Sequence, residues 1–121
     1  IERHRSEGHL VILLTGSLDF LMEPIADSLQ VDRCVASQLE QMEGVYTGQV
    51  VPPLPYGDGK LTYAHRLAQE LELDLDACFA YGDSPGDQAM LTAVGHPTVV
   101  NPIRGMDRVA RRHGWPVVSW R

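Results

Sequence analysis

A chain of 121 residues, 44% hydrophobic and 21% charged, holds enough apolar material for one buried core. Its net charge of −6 argues against a surface built for non-specific nucleic-acid or membrane binding. The longest apolar run, residues 10–14, is far short of a membrane span; Cys34 and Cys78 sit apart in apolar contexts, which suggests neither a disulfide framework nor a zinc site but buried free thiols, and fits a reducing cytoplasm.

In chain order, residues 9–14 predict an apolar strand ended by Thr15, Gly16 and Ser17. Leu18, Leu21, Ile25 and Leu29 then recur at helical spacing, with Pro24 kinking or tightening that helix. Residues 33–37 predict a second strand, and residues 44–51 a small hairpin closed by Pro52, Pro53 and Pro55. After Gly57-Asp58-Gly59, the residues Leu61, Ala64, Leu67, Ala68 and Leu71 form one helical face. Residues 77–81 predict a strand that Gly82-Asp83-Ser84-Pro85 turns into a helix, with Ser84 at the N-cap and Pro85 at the first helical position. Residues 97–100 predict a strand; Met106, Val109, Ala110 and His113 form a helical stripe that stops at Gly114; residues 117–120 predict a terminal strand. The basic cluster Arg104, Arg108, Arg111 and Arg112 reads as a solvated face of that last helix, and the five histidines as structural or surface residues without ligand spacing. Strands alternating with helices define an α/β chain with a mostly parallel, layered sheet.

In such sheets ligands bind beyond the carboxyl ends of the strands. At the first of these ends, Thr15-Gly16-Ser17 offers hydroxyls and backbone N–H groups of the kind that hold a phosphate-sized anion, although either hydroxyl could equally serve as a helix cap. At the second, Asp83 ends a strand, where a carboxylate calls for a positive partner such as magnesium, a hard ion that takes oxygen ligands. Asp87 stands at capping-box spacing from Ser84, a structural duty on which function can be superimposed. Lys60 opens a helix, where its charge opposes the helix dipole; alone it reads as an exposed lysine, and in company as one reaching back to a carboxylate or phosphate.

Taken in order, Val11-Ile12-Leu13-Leu14-Thr15, Gly59-Lys60 and Gly82-Asp83-Ser84-Pro85-Gly86-Asp87 resemble the haloacid dehalogenase superfamily of phosphotransferases, most closely its phosphoserine-phosphatase-like branch. Tyr46-Thr47-Gly48, Asn101-Pro102 and Gly114-Trp115-Pro116 look like that branch too, so the resemblance runs from about Leu10 to Trp120. It implies a three-layer Rossmann-like core, with residues 1–121 as the C-terminal part of a phosphatase core. It further implies that Thr15 and the Gly16 amide, with Ser17 beside them, bind the phosphoryl group of a small phosphorylated metabolite. Lys60 would balance charge on phosphate and nucleophile, Asp83 would ligate Mg²⁺, and Asp87 would support the metal through water or Lys60. Gly86 departs from the asparagine that phosphoserine phosphatases often carry there.

The family's nucleophile lies in an Asp-x-Asp-x-Thr motif after an earlier strand, followed by a cap, and residues 1–9 contain no aspartate. Asp74-x-Asp76 follows a helix tail and precedes its strand, so it does not substitute. The chain begins at Ile1 rather than methionine, and its true start is expected elsewhere. The absent strand would lie at the centre of the sheet, between those carrying Thr15 and Asp83, so a completing segment is expected: upstream polypeptide, a partner chain, or a strand exchanged in a homo-oligomer. This chain alone is expected to be inactive. The alternative is a non-catalytic member of the same fold serving as a binding or assembly module; a flavodoxin- or receiver-like domain fits the order of residues less well.

Overall fold

In the computed structural model, which describes residues 1–120, the chain forms two compact units, Ile1–Pro55 and Tyr56–Arg121. The first begins with a short helix α1 (Glu2–Ser6), which the apolar periodicity did not announce, since none of its residues is buried. Strand β1 (Ile12–Leu18), helix α2 (Asp19–Leu29) and strand β2 (Arg33–Ser37) follow as a β-α-β unit, β1 and β2 pairing in parallel.

Against expectation, Thr15, Gly16 and Ser17 lie inside β1 rather than beyond its end. Leu14 faces Val35 but Leu18 faces Ser37, so the pairing slips across these residues, an irregularity of the bulge kind that re-aims a strand locally. The Ser37 hydroxyl donates to the Gly16 carbonyl at 2.8 Å and secures the irregular stretch.

Helix α2 carries Pro24 in its interior, and its apolar stripe is largely uncovered: Leu21 is 57% exposed and Ile25 47%, while Ala26 alone is buried. Strands β3 (Leu39–Met42) and β4 (Val45–Val50) form the antiparallel hairpin, which starts earlier than its sequence suggests. They are joined through Glu43 and Gly44, both at positive φ, as a tight hairpin turn of the primed type requires. The Tyr46-Thr47-Gly48 segment belongs to β4; the side chains of Tyr46 and Gly48 lie outside the described set.

The second unit opens with α3 (Asp58–Glu70) and a 3₁₀ turn (Leu75–Ala77), then β5 (Phe79–Gly82) and a second 3₁₀ turn (Pro85–Asp87) that runs directly into α4 (Gln88–Ala93). It closes with β6 (His96–Val100), α5 (Met106–His113) and the two-residue β7 (Val117–Val118). The sheet order is β5-β6-β7, all parallel. Its core is Leu91, Val99, Met106 and Ala110, none with exposed surface, with Ala64 and Leu67 buried on α3. Met106 and Ala110 stand one helical turn apart, which turns the predicted stripe of α5 inward and leaves Arg104, Arg108, Arg111 and Arg112 exposed.

The architecture is therefore α/β with mainly parallel strands, as expected. Among the described residues β1 pairs with β2 alone and β5 with β6 alone, so each of these strands presents an unpaired edge.

Candidate active site

The second unit gathers three of the residues singled out in the sequence. Strand β5 ends at Gly82, and the chain passes through Asp83 and Ser84 into the 3₁₀ turn, with Pro85 supplying its pre-set φ at the first turn position. Asp87, 4% exposed, folds its carboxylate back over this loop. Its Oδ2 accepts the Asp83 N–H at 3.0 Å and the Ser84 N–H at 3.3 Å, the capping-box arrangement its spacing implied. Its Oδ1 accepts from the Lys60 ammonium in an ion pair whose side chains are 13% and 5% exposed. Lys60, near the start of α3, does reach back to a carboxylate.

Two glycines make this closeness possible. A Cβ on Gly82 would stand 2.6 Å from Asp87 Cβ, and one on Gly86 would overlap the Tyr56 ring. Any side chain at 86, asparagine included, displaces that ring. The Gly57 N–H donates to the Gly86 carbonyl at 2.8 Å, tying the approach to α3 onto the acidic loop. On the other side the Ile103 N–H donates to the Asp83 carbonyl at 2.9 Å, so the segment after β6 braces the same turn. Tyr56 is the residue that sequence reasoning missed; no spacing or motif distinguishes it.

Asp83 itself is exposed, which removes the burial penalty from the argument for its function. What remains is its position: a carboxylate at the carboxyl end of a parallel strand, next to a fixed lysine–aspartate pair, and in none of the ion pairs found among the described residues. Asp87 has both oxygens engaged, so a hard cation here would draw a direct carboxylate ligand from Asp83 and reach Asp87 through water, a pattern suited to magnesium with its retained water shell.

The remaining candidates, Thr15, Gly16 and Ser17, belong to the first unit. The Thr15 hydroxyl accepts the Ser17 N–H at 3.1 Å, and Gly16 and Ser17 are exposed. The hydroxyl cap of α2 that sequence allowed is not formed: the N-cap is Leu18, without a side-chain hydrogen bond. Asp74 accepts the Asp76 N–H at 3.0 Å and caps the 3₁₀ turn before β5, a purely local duty.

The model of haloacid dehalogenase-like hydrolases matches residues 1–92, and the chain belongs to that family. It is 38% identical to a probable phosphatase of Mycobacterium tuberculosis over 120 residues, 99% of this chain and 42% of that protein. A phosphoserine phosphatase of the same organism is 32% identical over 120 residues, 99% of this chain and 39% of that protein. The chain thus spans about two fifths of the length of these curated relatives. Its fold is similar to that of a Bordetella pertussis protein of unknown function, with a TM-score of 0.86 and 29% identity, covering 97% of this chain and 54% of that one.

Proposed function

We propose that this chain is part of a Mg²⁺-dependent phosphomonoester hydrolase that works through an aspartyl-phosphate, whose nucleophile lies outside residues 1–121. The observation that carries the reading is the buried Lys60–Asp87 pair fixed beside Asp83 at the end of β5. Family membership and relatives named as phosphatases support the reaction class.

In this reading Lys60, oriented by Asp87, presents an ammonium that stabilises charge on the phosphoryl oxygens and on the attacking carboxylate. Thr15 and the Gly16 amide, with Ser17, donate to a phosphoryl oxygen from the irregular stretch of β1. Asp83 and, through water, Asp87 would hold the Mg²⁺, which supplies further charge neutralisation at the phosphoryl group. The Asp-x-Asp-x-Thr motif of the family reaction does not occur in this sequence; it would come from another part of the polypeptide or a partner chain. The substrate is a small phosphomonoester, and phosphoserine is the first to try because one relative bears that name.

The test is hydrolysis of a phosphomonoester panel by the complete protein. Turnover should require Mg²⁺ and stop with a chelator, and Lys60→Ala should lower kcat by about a hundredfold, the loss typical of one transition-state donor. The 121 residues alone should release no phosphate. Chelator-insensitive turnover, or a fully active Lys60→Ala variant, would sink the proposal.

A further inference from the structure

Outside the 83–87 loop, one group of side chains among the described residues brings metal-type donors together: His4, Glu7 and His9. Helix α1 ends at Ser6, and Gly8, at φ +81, turns the chain back so that the His9 N–H donates to the His4 carbonyl at 3.0 Å. The turn brings the two imidazoles together, tilted by 36° with centroids 5.1 Å apart, and sets Nδ1 against Nδ1 at 2.8 Å. A Glu7 oxygen lies 3.8 Å from His9 Nδ1, and the three donor atoms fall within 4.8 Å of one another.

Two imidazole nitrogens bound at about 2.0–2.1 Å to one ion stand about 2.9 Å apart at the right angles of a tetragonal Ni²⁺ site and about 3.3 Å apart at the tetrahedral angle of Zn²⁺. The observed 2.8 Å, a hydrogen-bond distance, therefore asks for little movement of the two rings to admit an ion between them. The order His4-x-x-x-x-His9 also falls within the short histidine spacings used by zinc sites. Of the two arginines that flank His4, Arg5 is engaged elsewhere and donates to the carbonyls of Leu29 and Gln30, both at 2.7 Å.

We propose that His4, Glu7 and His9 form a site for a first-row divalent transition ion, Zn²⁺ or Ni²⁺, separate from the Mg²⁺ site proposed at Asp83. The donor set of two imidazoles and one carboxylate favours such ions over magnesium. On binding, the ring whose Nδ1–H bridges the pair carries its proton on Nε2 instead, so that both imidazoles stay neutral and each presents an Nδ1 lone pair to the ion. The occupied site would staple the end of α1 to the chain entering β1.

Isothermal titration of the complete protein with ZnCl₂, and separately NiCl₂, in saturating Mg²⁺ tests this. The expected result is one ion bound per chain, weakened at least about tenfold in the His4→Ala/His9→Ala double variant. Glu7→Gln, which leaves the histidine pair in place, should weaken binding by a smaller factor. X-ray absorption at the zinc edge of the unmodified protein gives an independent reading, and two imidazole nitrogens are expected. Absence of binding, undiminished binding by a folded double variant, or sulfur in the zinc shell would overturn the proposal.

Discussion

Asp87 is the residue on which the second unit's polar geometry depends. Removing its carboxylate would leave the Lys60 ammonium largely buried without its partner and release the N–H groups of Asp83 and Ser84. Asp87→Ala should therefore cost about 3–5 kcal/mol, read as a lowered urea midpoint, with Asp87→Asn losing less because it retains an acceptor. Gly86 yields a second prediction. Gly86→Asn restores the asparagine frequent in phosphoserine phosphatases but drives its Cβ into the Tyr56 ring, so it should destabilise by about 1–3 kcal/mol. Combined with Tyr56→Ala, the same change should cost less than the sum of the two, a coupling a double-mutant cycle measures directly. The lysine and both aspartates were legible in the sequence from their order along the chain. Tyr56 was not, because its importance lies in a contact across thirty residues of intervening chain. His4 and His9 were passed over although their spacing was on view; what joins them is the reversal at Gly8.

At the scale of elements, the strands and helices with strong periodicity, such as β2, α3 and α5, follow from the sequence almost to the residue. The departures have local causes. Strand β1 runs on through Thr15, Gly16 and Ser17 because parallel pairing with β2 resumes at Leu18 after the slip, and periodicity carries no sign of a partner strand. Helix α1 is too short and too polar to show a stripe. Helix α2 has its stripe, yet the stripe is exposed, since propensity and spacing do not say what covers a face. In the isolated chain that face and the edges of β1 and β5 should promote self-association. Leu21→Lys with Ile25→Lys should raise the fraction of monomer in light scattering while leaving stability within about 0.5 kcal/mol. The start of β5 supports a chemical prediction. Burial first, then the Asp74 charge, push the Cys78 thiol above its ordinary pKa, so less thiolate is present at neutral pH. Alkylation of Cys78 should be slower than that of free cysteine at pH 7 and accelerate as pH rises. Asp74→Asn, which keeps an oxygen to cap the 3₁₀ turn, should speed it at fixed pH, as mass spectrometry would show.

At the scale of the whole molecule, the residues proposed for phosphoryl binding fall in one compact unit and those proposed for charge balance and metal in the other. The two sets are therefore separable by experiment. Lys60→Ala and Thr15→Ala should each depress turnover of the complete protein, whereas Asp83→Ala should also shift the Mg²⁺ concentration needed for half-maximal rate by about tenfold or more, and Asp87→Asn by less. No helix among the described residues is long and apolar enough to cross a membrane.

One carboxylate, that of Asp87, sets both the shape of the loop and the place of the lysine. For a lineage diverging under mutation, this couples positions 60 and 87, so that a change at one alters the cost of a change at the other. Tyr56 and Gly86 are coupled in another way, through volume: a side chain at 86 has room only where the ring at 56 gives it up.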